Sequence, residues 1–303
     1  MTRTSWAILT LVFSNFALSL GDAAISANVH GFSVGQIFLV RSLIVFPVLL
    51  TVAWTSGAFA GLSASGLVWG GVRTLLLVGN WAAYYLALGL LPISLAASVY
   101  YTLPIFIAVF AAAILNEPLP RAGWFAIAIG FAGVLMITRP TGDGLGFAIA
   151  LPLLAAALYA SAMIVTRARC LAVHPLALAC LLHVGFIAIG AAVLLGSSLR
   201  DASAAPAWAP LGADAAWLMG GLALAILIGS VGTAVAYLNA PASRLAIFDY
   251  AYVLFAIIWG VTLQGDRPDA IAWAGVATIV GAGALMTFVT RARSHLNPAA
   301  GRR

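Results

Sequence analysis

Arg73, Asn80, Trp81 and Tyr84 follow one another at spacings of seven, one and three. On a helix that spacing gathers a guanidinium, an amide, an indole and a phenol on one face. Such a face can wall a cavity and offer hydrogen bonds and ring surfaces to a small polar solute. It can equally serve interhelical hydrogen bonding, worth about 0.6 kcal/mol on average in a membrane. Asn15, Ser19 and Asp22, spaced four and three, make a second stripe, and Tyr159, Met163 and Thr166 repeat that spacing. Asn15 corresponds to Tyr159 at an offset of 144, so the two stripes are expected to face each other. Tyr101 and its counterpart Tyr250 are expected as further cavity residues, with packing between helices as the alternative, and Tyr237 could close the cavity. Tyr85 points about 100° away from Tyr84 and is assigned to packing. The solute-binding set is therefore Asn15, Ser19, Asn80, Trp81, Tyr84, Tyr101, Tyr159, Met163, Tyr237 and Tyr250.

Four titratable residues fall inside predicted helices: Arg41, Arg73, His183 and Asp249. An unpaired charge in lipid costs at least about 2.5 kcal/mol, so each should be paired, reach an interface or face water. Depth favours Arg73 over Arg41 as the partner of Asp249. Glu117 stands where a helix breaks and is expected to pair structurally with Arg121. Cys170 and Cys180 lack metal-ligand spacing and read as small apolar filler. No metal or cofactor is expected. His174 before a proline and His30 before a glycine read as caps.

The elements that must carry these residues follow from composition. The 303 residues are 64% hydrophobic and 7% charged, with a mean hydropathy of +1.10. A soluble domain carries roughly a quarter charged residues, so the chain's solvent is the lipid bilayer. The net charge of +6 comes with no basic face and excludes nucleic acid as partner. All 14 basic residues are arginine, as GC-rich bacterial coding would give. Ten candidate membrane helices run roughly 5–27, 33–55, 66–90, 93–115, 121–138, 145–167, 175–196, 215–238, 243–263 and 270–290. Only the stretch 197–214 between them is long enough to be a loop. Arg3 followed by an apolar run resembles a signal peptide, but its removal would leave the first half one helix short.

The chain also writes one stretch twice. Ser94–Met136 and Ser243–Met286 align Ser94 with Ser243, Tyr101 with Tyr250, Glu117 with Asp266 and Trp124 with Trp273 at an offset of 149. Gly79 and Asn80 map onto Gly229 and Ser230 at an offset of 150. The expectation is an all-α polytopic membrane protein of ten transmembrane helices in two five-helix repeats, 1–140 and 141–292, with a basic tail at 293–303. An odd number of helices per repeat makes the second enter from the opposite side, so the repeats are inverted. With the N-terminus inside, nine arginines are cytoplasmic (3, 121, 167, 169, 244, 291, 293, 302 and 303) against three outside (139, 200 and 267), which places both termini in the cytoplasm.

Pro104, Asn116-Glu117-Pro118 and the glycines Gly123, Gly130 and Gly133, set in this duplicated plan, resemble the drug/metabolite transporter superfamily in its ten-helix EamA-type branch. Within that branch the chain resembles amino-acid exporters of the YddG type. The resemblance covers nearly the whole chain and implies export from the cytoplasm by alternating access, often with no cofactor. The second half carries the pattern less closely, with Asp266 in place of a glutamate.

The resulting expectation is a monomeric secondary transporter of the bacterial inner membrane that exports small polar metabolites, foremost amino acids. Lipophilic-cation export is the alternative, with a receptor or scaffold third. An enzyme is not expected, since HExxH, GxSxG and phosphate-binding glycine motifs are all missing. Pro104 should bend the fourth span and act as a hinge. Val253 stands near the corresponding place of the ninth span, which should be the straighter and stiffer of the two.

Overall fold

Backbone groups in lipid must be satisfied within the segment that carries them, and runs of about 20 apolar residues meet that demand as helices. The computed structural model describes residues 3–28, 32–88, 90–91, 93–139, 147–200, 208–265 and 267–296, and among them there is no strand. The helices are α1 (Arg3–Asn28), α2 (Val34–Thr55), α3 (Ala64–Leu88), α4 (Ile93–Tyr100), α5 (Leu103–Ile114), α6 (Arg121–Thr138), α7 (Ala150–Arg169), α8 (Pro175–Arg200), α9 (Ala213–Asn239), α10 (Ala242–Leu245), α11 (Ala251–Trp259) and α12 (Ala270–Leu296). Among the described residues, eight segments are long and apolar enough to cross a membrane, with α4–α5 and α10–α11 each forming one such segment. α3 has the length, at 25 residues, but carries the polar face described above. α12 contributes the shorter apolar stretch Ala270–Met286. The protein is a multi-pass, all-helical membrane protein. Asp266, His30 and residues 297–303 of the expected tail lie outside the described residues.

The helices pack in crossed pairs: α1 on α9, α2 on α8, α3 on α7 and α6 on α12. Glycine sets the closest of these contacts. A Cβ on Gly133 would stand 2.8 Å from the Gly275 carbonyl oxygen, and one on Gly275 would stand 2.7 Å from that of Gly133. Any larger residue would force α6 and α12 apart. α9 lies against α1 in the same way, since a Cβ on Gly232 would meet the Ser14 hydroxyl at 2.1 Å. Gly232 is thus a point of close packing between α9 and α1.

Two spans are interrupted at mid-length. Between α4 and α5 the helix lapses at Tyr101-Thr102, and Pro104 is the second residue of α5. Proline has no N–H to bond the carbonyl one turn earlier, and the Thr102 hydroxyl donates back to Val99 O at 2.7 Å. The span 242–264, expected to be the straighter and stiffer of the two, is interrupted as well. Its α-helix stops after four residues, tightens to a 3₁₀ segment over Ala246–Tyr250 and widens to a π turn over Gly260–Gln264. No proline causes this. The Asn15 side chain, reaching from α1, donates to the Phe248 carbonyl at 3.2 Å, so a partner elsewhere in the fold takes part of the bonding that a regular helix would supply.

Glu117 corrects a second expectation. Its carboxylate accepts from Arg167 Nε at 3.2 Å and from the backbone N–H of Ala242 at 2.8 Å, not from Arg121. The acid therefore fastens the α5–α6 break to the end of α7 and the start of α10. Arg139 and Asp269 form an exposed ion pair that ties the end of α6 to the start of α12. The Asp269 carboxylate is held below its usual range by the Arg139 hydrogen bond and the Ala272 N–H.

Candidate functional site

The stripes of α1, α3 and α7 converge on one cavity of about 860 Å³. From the expected set, Asn15, Ser19, Asn80, Trp81, Tyr84, Tyr101, Tyr159 and Met163 line it, as do Arg73 and Asp249. α3 forms a wall because its register is held at both ends. Arg73 Nε donates to Thr166 Oγ1 at 2.8 Å, and Asn80 Nδ2 donates to the Ala155 carbonyl at 2.9 Å and to the Tyr100 hydroxyl at 3.3 Å. The α1 stripe bonds across to the ninth span. Ser19 Oγ accepts from Trp259 Nε1 at 3.1 Å, and Asp22 accepts from the Tyr252 hydroxyl. The stripes of α1 and α7 therefore share the cavity, while the hydrogen bonds of α1 go to residues 248–259.

Asp249 sits on the 3₁₀ segment, 4% exposed. The Tyr237 hydroxyl donates to its Oδ2 at 2.6 Å and the Tyr159 hydroxyl to its Oδ1 at 3.5 Å. The expected Asp249–Arg73 pair is not formed. Thr166 takes Arg73 Nε and the two tyrosines take Asp249, while Arg73 Nη1 has no hydrogen-bond partner among the described residues.

Two tyrosines of the expected set do not line the cavity. Tyr237 lies behind Asp249 and acts on the cavity only through that carboxylate. Tyr250 is fully buried and directs its hydroxyl to the Ile127 carbonyl at 3.4 Å. A Cβ on Gly130 would lie 2.6 Å from its ring, so Tyr250 fills the notch that this glycine leaves in α6. Its counterpart Tyr101 does line the cavity. Duplication of sequence did not carry over duplication of surroundings.

Other cavity residues were missed or misassigned. Tyr85, expected to pack, lines the cavity and stacks on Trp81 with centroids 5.5 Å apart and planes at 25°. Tyr100 joins Tyr84 at 4.7 Å, and Tyr252 joins Tyr101 at 5.9 Å, so the cavity has a nearly continuous aromatic wall. Ser230 also lines it, and its correspondence with Asn80 was the signal that could have found it. Phe38 and Tyr252 carried no such signal, because each is one apolar or aromatic residue in a run of many.

Arg41 and His183 stand apart. Arg41 is 3% exposed, with its guanidinium carbon 4.8 Å from the Phe38 ring centroid, 5.1 Å from Phe186 and 5.8 Å from Trp81. Its Nε and Nη2 have no hydrogen-bond partner among the described residues, nor has either imidazole nitrogen of His183. Of the three outcomes expected for them, an ion pair is not formed among the described residues. Aromatic faces hold the cation instead, each worth about 0.5–2 kcal/mol.

This arrangement is a solute chamber in a helical membrane protein. Residues 5–139 match the model of the EamA-like transporter family. A riboflavin transporter of Rhizobium johnstonii is 30% identical over 200 residues, covering 66% of this chain and 63% of that protein. A pseudopaline exporter of Pseudomonas aeruginosa is 26% identical over 277 residues, covering 90% of this chain and 93% of the exporter. A riboflavin transporter of Vibrio cholerae is 26% identical and covers 88% of this chain and 86% of its own length. A solved crystal structure superposes on 95% of this chain with a TM-score of 0.78 at 21% identity, and the match takes in all of that structure. That likeness concerns the fold. The family and these relatives are transporters rather than enzymes.

Proposed function

We propose that the chain is a secondary transporter that moves a small polar metabolite through this cavity by alternating access. The single observation that carries the reading is the cavity itself. Its lining comes from α1–α6 of the first half of the chain and from α7, α8, α9 and the span 242–264 of the second. A chamber between two halves is what a rocking mechanism requires.

The finer architecture belongs to the same reading: ten spans in two inverted five-helix halves, 1–140 and 141–292, followed by the tail 293–303. The packing supports it. Exchanging each helix with its counterpart five spans away turns the α1–α9 contact into α7–α3, α5–α7 into α11–α1 and α3–α8 into α9–α2, all of which occur. The α2–α8 and α6–α12 contacts map onto themselves. A monomer with both termini in the cytoplasm of a bacterial inner membrane completes the proposal. Reporter fusions at Ser203 and at the C-terminus test this topology by reporting opposite sides of the membrane.

Amino acids and related metabolites are the proposed substrates, moved without a cofactor. The amide, phenols and indole of the lining suit neutral or zwitterionic solutes. At about 860 Å³ the cavity lies toward the upper end of the ~300–1,000 Å³ range of ligand pockets, so it also admits solutes larger than a free amino acid. Lipophilic-cation export is the second reading, favoured by Asp22 and Asp249 in an aromatic wall. Liposomes holding the purified protein decide between them. Labelled amino-acid flux supports the first reading. Ethidium flux that is lost in Asp22→Asn, without amino-acid flux, supports the second.

A further inference from the structure

Arg41 is a buried cation with no hydrogen-bonding or ion-pair partner among the described residues. Its unpartnered nitrogens, Nε and Nη2, lie on one edge of the guanidinium. That edge is the fork with which arginine takes both oxygens of a carboxylate. The aromatic rings around it hold a positive charge but cannot accept from these N–H groups in plane.

Arg41 also lies close to the solute chamber. Arg41 lines a small cavity of about 10 Å³ together with Asp22, Trp81 and neighbouring apolar residues. Asp22 and Trp81 line the large cavity as well, so Arg41 stands one side-chain layer behind the chamber wall. Asp22 is the acid facing it, but no ion pair joins them, and the carboxylate accepts from Tyr252 instead. The gap lined by the two groups has room for about one water, the place that one oxygen of an entering carboxylate would take.

We infer that Arg41 is the anion-recognition group of the transporter, and that the solute carries a carboxylate on a planar aromatic body. The carboxylate meets the free edge of Arg41 between Trp81 and Asp22, and the body lies along Trp81, Tyr84 and Tyr85. Asp22 competes with the solute for the same cation, which keeps the site from holding its ligand too tightly. This inference rests on the transport reading and adds the chemical class of the substrate.

The test is calorimetric titration of the purified full-length protein with indole-3-acetate and with its neutral amide, indole-3-acetamide. The wild type should bind the acid at least tenfold more tightly. Arg41→Gln should bind both alike, and Arg41→Lys should restore part of the preference. Should Arg41→Gln fail to fold, Asp22→Asn decides: removing the competing charge should tighten the acid severalfold and leave the amide unchanged. Equal binding of acid and amide by the wild type, binding of neither, a preference that survives Arg41→Gln, or an Asp22→Asn change shared by both ligands overturns the inference. Flux of the acid into liposomes is read separately. Arg41-dependent binding without flux defeats transport and leaves recognition standing. Flux with equal binding of acid and amide does the reverse.

Discussion

The spans 93–114 and 242–264 correspond in sequence at an offset of 149, both are interrupted, and the interruptions have different causes. In the first the cause is covalent, for Pro104 cannot donate and the helix lapses at Tyr101-Thr102. In the second it is tertiary: Asn15 of α1 takes the Phe248 carbonyl, and tyrosines of α7 and α9 hold Asp249 on the 3₁₀ segment. Two corresponding segments can therefore share an interruption whose origin differs. The second break rests on contacts from three other helices. The first has its cause in its own sequence.

The largest effect should come from removing the tertiary anchor. Asp249→Leu leaves the Tyr237 and Tyr159 hydroxyls facing an apolar side chain. Losing a hydrogen bond to a charged group costs about 1.5–3 kcal/mol, so flux per folded molecule should fall tenfold or more. Unchanged flux would remove Asp249 from the account. Asn15→Ala comes next. It frees the Phe248 carbonyl, a loss of about 1–3 kcal/mol, and amide exchange should quicken across residues 246–251 while residues 100–105 are unaffected. Equal quickening in both spans would erase the distinction between them.

Pro104→Ala should be milder. The neighbours of α5 keep the protein folded, while the missing hydrogen bond can now form, so flux should drop severalfold and the reactivity of a Tyr84→Cys probe should shift between the two faces. Normal flux with unchanged reactivity would reduce the kink to packing. The smallest effect belongs to the Arg139–Asp269 pair, which joins α6 to α12, its side chains about half exposed. The lowered pKa of Asp269 means that its contribution is present above the ordinary carboxylate range and fades as pH falls through the lowered value. Asp269→Asn should remove that pH dependence and shift the melting temperature only slightly, as exposed pairs do.

What the sequence made legible and what it did not divides along the same line. Composition and apolar runs led to a helical membrane protein. Polar residues at helical spacing led to the chamber wall at Asn15, Ser19, Asn80, Trp81, Tyr84, Tyr159 and Met163, because lipid drives such residues to a common interior. The Pro104 break was readable because its cause is local. The break at 246–250 was not, since nothing in that segment signals that Asn15 will bond to it. Tyr250 was misplaced for a related reason: its surroundings depend on the notch at Gly130. Arg73 and Asp249 were paired by depth alone, while Thr166 and two tyrosines claimed them through angular positions that depth does not specify.

The central claim is that one chamber opens to each side of the membrane in turn. It is tested most directly with a single cysteine at Ser230, which lines the cavity, in a protein whose buried Cys170 and Cys180 are replaced by alanine. In oriented liposomes, an impermeant thiol reagent should reach Ser230→Cys from either face. Transported solute should change the two rates in opposite directions, and modification should stop flux. Reaction from one face only, unaffected by solute and without consequence for flux, would contradict the account.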